Sequence, residues 1–481
     1  MFFLVRWLFI LAALAPSLLA ASARTVQDGR PNIILVMTDD QGYGDLGCTG
    51  NPIVKTPHID AFHAASVRFT DFHASPTCAP TRAALMSGRH EFKNGVTHTI
   101  HERERMSLDT LTLAQILKRA GYTTGIFGKW HLGDERAYQP DRRGFDEVFI
   151  HGAGGIGQSY AGSCGDAPGN RYFNPMILHN GKFERTMGYC TDVFFGQAID
   201  WIDRSRRRSK PFFAMITPNA PHAPLDCPPE YAARHASQVT GNEAKFFGMI
   251  ENIDDNFGRL LHALDRSGLA QNTLVIFMTD NGGTVGVGRN NGGRRGAKAT
   301  PYQGGTRVPS FWRWPNGFKG GTDCSRLTAH VDIFPTLAEI ARVKESSRIR
   351  AQVEGRSLLP LLKNPGGEWA DRTLITHVGR WERGQAAQAK FKNCSVRDSR
   401  FSLVNNTALY DLNRDPLESQ DVAVEYPEVV GRLRQAYERW WEEVQPRLVN
   451  ENVPIPQENA FRARFRRQFG ASALPSEATK P

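Results

Sequence analysis

Four short apolar segments of the chain each run directly into a group of polar residues. They are residues 32–38 (NIILVMT), 123–127, 211–217 (PFFAMIT) and 273–279 (TLVIFMT). Their length and β-branched content predict buried strands, and segments with helical spacing of apolar residues lie between them. Strands that alternate with helices form a mostly parallel sheet with helices on both faces. We therefore predict an α/β fold in which helices sandwich a large, mostly parallel sheet.

The polar residues that follow these segments are of kinds that carry chemistry. The carboxyl ends of parallel strands lie at one edge of a sheet, and ligands bind at that edge. The chain therefore predicts one site that collects Asp39, Asp40, Lys129, His131, His222, Asp280 and Asn281. The stretch 284–309, which is rich in Gly and Arg and contains Lys298, is predicted to fold over this site as a loop.

Four of these residues offer only oxygen as a metal ligand: Asp39, Asp40, Asp280 and Asn281. Such a set suits a hard cation, calcium or magnesium, better than zinc. Asp, Asn and Gly also favour turns, so the simpler interpretation of each motif alone is a turn. Two such motifs at one sheet edge favour the cation, because carboxylates packed together repel one another when no positive charge is near.

The run Cys78-Ala-Pro80-Thr-Arg82 is the second notable motif. Pro80 and the helix-forming residues after it predict a helix that begins at Cys78. The free N–H groups and the dipole of a helix N-terminus favour an anion or an ionised nucleophile, and Arg82, one turn further, can bind oxygens. Cys78 is one of seven cysteines, so a buried structural cysteine or half of a disulfide is the alternative.

Four residues near the strand ends are candidate acids, bases or charge-stabilising groups: Lys129, His131, His222 and Lys298. Lys129 and His131 are two residues apart, so they lie on the same side of an extended chain. His222 lies between two prolines, in a rigid loop that suits a fixed acid or base. Each of these residues alone has the simpler interpretation of an exposed side chain. Other histidines stay candidates for structural or substrate-pocket roles: His58, His73, His98, His101 and His330.

The N-terminus has the features of a secretory signal peptide, residues 1–23. Arg6 precedes an apolar stretch, and Ala21-Ser-Ala23 provides small residues for cleavage. A membrane anchor is the alternative, but the apolar run is short and contains Pro16. We therefore expect a periplasmic or secreted protein with no membrane partner after cleavage.

The length of 481 residues fits one large domain and a smaller one. The predicted regions are a main domain (30–366), a C-terminal α+β subdomain (367–450) and a polar, loosely ordered tail (451–481). The net charge of +10 suits an anionic substrate, although net charge governs association rather than chemistry. The basic stretch 204–210 lies between a helix and a strand, so we interpret it as a solvated loop and expect no nucleic-acid partner.

Taken in order, these motifs resemble those of the type I sulfatases, which are arylsulfatase-like, formylglycine-dependent enzymes of the alkaline phosphatase superfamily. The resemblance covers nearly the whole mature chain and rests on Asp39-Asp40-Gln-Gly, C-x-P-x-R from Cys78 to Arg82 with Gly88-Arg89 after it, Gly128-Lys129-Trp-His131-Leu-Gly133, Pro221-His222-Ala-Pro224, Thr279-Asp280-Asn281-Gly282, the run Lys298 to Pro309, and Leu409-Tyr-Asp-Leu412. The combination is far more specific than any one motif. It implies an alkaline-phosphatase-like fold and hydrolysis of a sulfate ester.

The resemblance also implies how the chemistry is divided among residues. Cys78 would be converted by a formylglycine-generating maturation enzyme to formylglycine, whose hydrate attacks sulfur. The implied cation, Ca²⁺ with Mg²⁺ as the alternative, would be held by Asp39, Asp40, Asp280, Asn281 and the modified Cys78. An anionic sulfate ester is the implied substrate, and a sulfated polysaccharide or oligosaccharide is the candidate.

The remaining roles concern charge and proton transfer. The resemblance implies that Lys129 and Arg82 stabilise the diol and the charge that develops. His222 with Lys298 would protonate the leaving alcohol. His131 would take a proton from the second hydroxyl, so that the aldehyde re-forms and sulfate leaves.

The main alternative is a phosphonate monoester hydrolase or phosphodiesterase of the same superfamily. Zinc phosphatases of this superfamily use an Asp-His pair where this chain has Asp280-Asn281, whereas phosphonate monoester hydrolases share the cysteine motif. An inactive protein that binds sulfated glycans is a further alternative, against which the complete set of motifs argues. The stretch 152–189 matches nothing general in the family, and we expect it to shape the substrate pocket.

Overall fold

The computed structural model describes residues 29–208 and 210–470 of the chain. The predicted signal peptide and the last part of the predicted tail, residues 471–481, lie outside the described residues. Within the described ranges, no helix combines the length and the apolar character needed to cross a membrane. All seven cysteines are described, and none of them forms a disulfide.

The described residues form sixteen strands and twelve α-helices. The strands are β1 Asn32–Thr38, β2 Val67–Phe69, β3 Phe72–His73, β4 Thr123–Lys129, β5 Glu147–His151, β6 Met176–His179, β7 Lys182–Arg185, β8 Phe212–Thr217, β9 Thr273–Thr279, β10 Ser310–Arg313, β11 Thr322–Cys324, β12 Thr328–Ala329, β13 Leu374–His377, β14 Cys394–Arg397, β15 Phe401–Val404 and β16 Ala408–Asp411. The helices are α1 Pro57–Ala64, α2 Cys78–Ser87, α3 Leu113–Arg119, α4 Cys190–Arg206, α5 Pro229–Ala233, α6 Gly241–Arg266, α7 Gln303–Thr306, α8 Ile333–Ile340, α9 Ser347–Gln352, α10 Leu359–Lys363, α11 Pro427–Val444 and α12 Ala460–Phe469.

A ten-stranded sheet forms the centre of the molecule, in the order β11-β2-β10-β9-β1-β8-β4-β5-β6-β7. Its five central strands, from β9 to β5, are parallel to one another, whereas the pairs β9–β10, β5–β6 and β6–β7 are antiparallel. The four strands predicted from the sequence are β1, β4, β8 and β9, and all four lie in the parallel centre. The predicted α/β class with a mostly parallel sheet is therefore confirmed.

The central strand β1 is buried on both faces, which explains why its sequence is a continuous apolar run. Side chains of a strand alternate between the two faces of a sheet. Ile33 and Leu35 accordingly belong to one core with residues of α2, α3 and α8, while Ile34 and Val36 belong to a second core with residues of α4 and α6. Helices thus cover both faces of the sheet, as the prediction of a sandwich requires.

The C-terminal part of the chain forms a small antiparallel sheet, β13-β14-β15-β16, which packs against α11. One stripe of α11 is buried and includes Leu433, Tyr437 and Trp441. This arrangement is the α+β subdomain that the sequence predicts. The residue boundaries assigned to the regions stay predictions.

The expectation of a loosely ordered tail after residue 451 is wrong for α12. Asn459 caps this helix, because its side-chain oxygen accepts the N–H groups of Phe461 and Arg462. Phe461 and Phe465, one helical turn apart, are buried against Phe183 of β7. A short apolar face within a basic segment is therefore enough to dock this helix on the edge of the large sheet.

Gly128, next to the last residue of β4, should be intolerant of any side chain. It has φ 119°, and a Cβ atom there would lie 2.0 Å from the carbonyl oxygen of Thr217. We expect Gly128→Ala to lower the free energy of unfolding by about 2–5 kcal/mol, because it adds strain and a clash. The matched control is Gly196→Ala in α4, where a Cβ would meet no atom within 4 Å, and there we expect a gain of about 0.5–1 kcal/mol. Chemical unfolding measures both, and equal effects would contradict this account.

Candidate active site

The carboxyl ends of four neighbouring strands meet at one edge of the large sheet. β1 pairs in parallel with β9 along its whole length, so the residues that follow the two strands are neighbours. The Asp40 N–H donates to Oδ1 of Asp280 at 3.2 Å, which joins the two strand ends. β4 ends at Lys129, and the loop after β8 carries His222. The structure thus brings together the polar groups that the sequence assigns to this edge.

Cys78 is the first residue of α2, at the helix start that the sequence predicts. Its side chain is buried, and its Sγ lies 3.4 Å from Oδ1 of Asp39 and 3.9 Å from Oδ1 of Asp40. Burial, reinforced by the Asp39 carboxylate, raises the pKa of the Cys78 thiol to about 12. The unmodified side chain is therefore a protonated thiol at neutral pH, which is a poor nucleophile.

The carboxylates of this cluster each contact a basic side chain. Lys129 Nζ lies 2.5 Å from Oδ2 of Asp39, and Arg82 Nη2 lies 2.8 Å from Oδ2 of Asp280. All four of these side chains are almost completely buried. Basic residues thus already supply positive charge inside the site, so the packing of carboxylates alone does not require a metal ion here.

Lys298 reaches the site from the loop 284–309, as the sequence predicts. Its Nζ lies 2.5 Å from Oδ1 of Asp40, and its backbone N–H donates to the Gly283 carbonyl. Although burial acts to lower it, the Asp40 carboxylate raises the pKa of Lys298. Burial acts to raise the pKa of Asp40, but the Lys298 ammonium holds it below its usual value. The Lys298–Asp40 pair is therefore ionised at neutral pH.

The two histidines of the site each leave one ring nitrogen free for proton transfer. In His222, Nδ1 donates to the Ala223 carbonyl at 2.6 Å, and Nε2 lies 3.7 Å from Oδ2 of Asp40. In His131, Nε2 donates to the Thr99 carbonyl at 2.8 Å, and the buried Nδ1 has no partner among the described residues. Burial lowers the pKa of His222 to about 4 and that of His131 well below its usual value. Both rings are therefore neutral at neutral pH.

The oxygen atoms of this cluster fit a divalent cation. Ligand atoms of Asp39, Asp40, Cys78 and His222 lie within 4.8 Å of one another. Asn281 Nδ2 donates to Oδ1 of Asp40 at 3.0 Å, which leaves Asn281 Oδ1 buried and without a partner in the described part of the chain. A buried amide oxygen beside two carboxylates is a ligand that a hard cation binds.

Sequence reasoning missed several residues that contact or approach this cluster. Thr99 accepts the hydrogen bond of His131, and Cys164 Sγ lies 4.0 Å from His131 Nε2. Arg380 of the C-terminal subdomain donates to Thr99 Oγ1 at 3.3 Å. All three lie in loops outside the strand-end motifs. The only advance signal was the expectation that the stretch 152–189, which contains Cys164, borders the pocket.

Comparisons with known proteins agree with one another. The family model described as Sulfatase matches residues 31–343, and the one described as N-sulphoglucosamine sulphohydrolase, C-terminal, matches residues 297–442. The chain is 32% identical to N-acetylgalactosamine-6-sulfatase of Mus musculus, in an alignment that covers 77% of this chain and 72% of that protein. It is also 32% identical to Arylsulfatase J of Mus musculus, in an alignment that covers 85% of this chain and 76% of that protein. The solved structure of Ps i-CgsB in complex with k-i-k-neocarrahexaose has a TM-score of 0.76 and 26% identity, and covers 89% of this chain and 95% of that one.

Removal of the Lys129 charge should be far more costly than removal of an exposed lysine. We expect Lys129→Met to lower the free energy of unfolding by about 3–5 kcal/mol, because it leaves the buried Asp39 carboxylate without its basic partner. Lys118→Met is the control, since Lys118 pairs with Asp146 at the surface, and there we expect a loss of about 0–1 kcal/mol. Urea unfolding in the presence of a chelator measures both, so that no cation replaces the lysine. Similar losses for the two variants would contradict the role of the buried pair.

Proposed function

The chain belongs to the sulfatase family, as a type I sulfatase of the alkaline phosphatase superfamily, and from this premise we propose that its reactive group is formylglycine made from Cys78. It is an arylsulfatase-like hydrolase of sulfate esters, an activity that the matched family favours over hydrolysis of phosphonates or phosphodiesters. The observation that carries the proposal is the position of Cys78: it opens a buried helix beside Asp39 and Asp40, outside any disulfide.

Formylglycine at this position would allow the covalently bound sulfate to be released after the transfer. Its hydrate supplies two hydroxyls on one carbon, so that one can attack sulfur and the other can give up its proton while sulfate leaves. A serine has a single hydroxyl and an unmodified cysteine a single thiol, so neither could expel a transferred sulfate in this way. A maturation enzyme that recognises the Cys78 segment is therefore part of the proposal.

The residues around Cys78 support this chemistry through charge. Lys129 contacts Asp39 and Arg82 contacts Asp280, so both cations are held in place beside the reacting group. Arg82 also donates from Nη1 to the Lys129 carbonyl at 3.0 Å, which fixes its guanidinium. Positive charge that is fixed in a buried site stabilises the negative charge that develops on transferred sulfate oxygens.

Two groups of residues handle protons. We assign the base that accepts the proton of the second hydroxyl to Nδ1 of His131, because Nε2 is already donated to the Thr99 carbonyl. Lys298 and His222 both lie beside Asp40, and we assign to them the protonation of the leaving alcohol. Lys298 is the charged member of that pair and His222 the neutral one, and the two residues act together.

The proposed metal ligands are Asp39, Asp40, Asp280, Asn281 and the modified side chain at position 78. When bound there, a calcium or magnesium ion supplies Lewis-acid stabilisation of sulfate oxygens and lowers the pKa of an attacking hydroxyl. The orphan Oδ1 of Asn281 is the feature that best supports a cation at this place. Calcium is the ion we favour, because the ligands are all oxygen and numerous.

A sulfated polysaccharide or oligosaccharide is the proposed substrate class. Two proteins similar to this chain support it by name, an N-acetylgalactosamine-6-sulfatase and Ps i-CgsB in complex with k-i-k-neocarrahexaose. The net charge of +10 agrees with an anionic polymer as the partner. The predicted signal peptide, residues 1–23, completes the proposal of an enzyme that acts in the periplasm or outside the cell.

The mass of the Cys78 peptide tests the proposed modification. In protein made with a formylglycine-generating enzyme, we expect the peptide to be lighter by the difference between a thiol and an aldehyde. Release of sulfate from an aryl sulfate should rise in proportion to the converted fraction. The peptide with the buried Cys324 is the internal control and should keep its thiol. A fully active preparation with an unmodified Cys78 would contradict the proposal.

Metal binding can be measured separately from activity. We expect calcium to stabilise the chelator-treated wild type by about 3 kcal/mol at a hundredfold excess over Kd, and Asn281→Leu far less, because a ligand oxygen is lost. Asn32→Leu is the matched control, since Asn32 is a buried asparagine at the opposite end of β1 and hydrogen-bonds the Phe212 N–H. It should lose stability but keep the calcium shift. An equal calcium shift in all three proteins would contradict the assigned site.

A further inference from the structure

A loop that contacts the proposed catalytic base also contacts the C-terminal subdomain. Thr99 accepts the His131 Nε2–H through its carbonyl, and its Oγ1 accepts a hydrogen bond from Arg380 Nη2 at 3.3 Å. His98, the residue before Thr99, accepts the Thr99 N–H on Nδ1 at 2.7 Å, so the proton of the neutral ring is on Nε2. Arg380 therefore lies two contacts away from the group that we assign to catalysis.

A second loop completes the surroundings. Cys164 Sγ–H donates to the Thr99 carbonyl at 3.4 Å, and the Tyr160 N–H donates to the Cys164 carbonyl at 3.0 Å. Tyr160 is 41% exposed. Burial raises the pKa of Tyr160, and the charges of Lys298 and Arg380 oppose that rise. Tyr160 is thus linked through Cys164 to Thr99, the residue that contacts both His131 and Arg380.

Arg380 has binding capacity that the protein itself does not use. Its Nε is buried without a hydrogen-bond partner among the described residues, while its Nη2 donates to Thr99 Oγ1. The nearby Arg103, by contrast, pairs with Glu451 at 2.9 Å. A buried guanidinium N–H with no acceptor costs free energy unless something else accepts it. Arg presents a planar fork of donors that matches a carboxylate or a sulfate.

The backbone near this arginine is held in a conformation that ordinary residues avoid. Arg380, His101 and Glu102 have φ values of 58°, 62° and 64°. His101 Nδ1 is also buried without a partner in the described ranges, and Glu102 is occupied by the Ser163 N–H at 2.8 Å. Left-handed non-glycine residues persist where the surrounding structure fixes them, and they cluster at ligand sites.

We propose that Arg380, which reaches Thr99 beside the catalytic base, forms a second anion-binding position near the scissile sulfate. The preferred substrates would then be saccharides that carry another anionic group, a sulfate or a carboxylate, close to the sulfate that is hydrolysed. This inference rests on the proposed function, and it adds that the C-terminal subdomain contributes directly to substrate selection. It also gives a use to the unpaired donors of this region.

The test compares three oligosaccharides of the same backbone, with one sulfate, with two sulfates, and with one sulfate and one carboxylate. Sulfate release gives kcat and KM for the matured wild type, Arg380→Gln, Arg380→Lys and the control Arg383→Gln. Arg383 is in the same loop and binds backbone carbonyls of residues 451 and 453. We expect Arg380→Gln to lose about ten- to a hundredfold in kcat/KM on the better doubly anionic substrate, mainly through KM.

The expected pattern is selective. The loss on the singly sulfated sugar should be at least tenfold smaller, Arg380→Lys should restore part of the preference, and Arg383→Gln should match the wild type. The substrate with the larger loss identifies the second anion as sulfate or carboxylate. Equal losses on all three sugars, seen in kcat, would mean that Arg380 only supports Thr99 and His131 and would overturn the inference. A wild type that hydrolyses none of the sugars but does hydrolyse an aryl sulfate would overturn the inference alone, and one that hydrolyses neither would overturn the proposed function as well.

Discussion

The parallel pairing of β1 between β8 and β9 is the constraint on which the rest of the structure depends. Because side chains that follow parallel strands emerge at one edge, this pairing makes neighbours of Asp39 and Asp280, which are more than two hundred residues apart in the chain. It also fixes the carboxyl end of β8, and through it the loop that carries His222. The two apolar cores on either face of β1 hold this register, since a shift of one residue would exchange the faces.

The site assembled at this edge is a balance of buried charges. Asp39, Asp40 and Asp280 each contact a basic side chain that comes from a different part of the chain. Loss of one partner would leave an uncompensated charge in the buried site. The loop that carries Lys298 is held to the sheet edge by the ion pair with Asp40 and by the hydrogen bond from the Lys298 N–H to the Gly283 carbonyl. The same arrangement fixes Lys129, Arg82 and Lys298 near Cys78, and fixed positive charge stabilises a sulfate during its transfer.

The sequence predicted those parts of the molecule that have strong local signals. β1 and β9 agree with their predicted limits residue for residue, because long apolar runs determine them. The short strands at the sheet edges, β2, β6 and β7, escaped because three or four residues carry little periodicity. Arg380 escaped for another reason: it approaches the site only because the subdomain docks there, and no local pattern reports tertiary contact. The helix α12 was missed because its basic composition masks a pair of buried phenylalanines.

The central claim is that the side chain at position 78 carries the transferred sulfate and needs a second hydroxyl to release it. The most direct measurement is intact and peptide mass spectrometry of the Cys78→Ser variant after incubation with an aryl sulfate. We expect one sulfate group bound at position 78 and no further release of product, because a lone hydroxyl can attack but cannot expel sulfate. Repeated turnover by this variant, or a sulfate group bound at another residue, would contradict it.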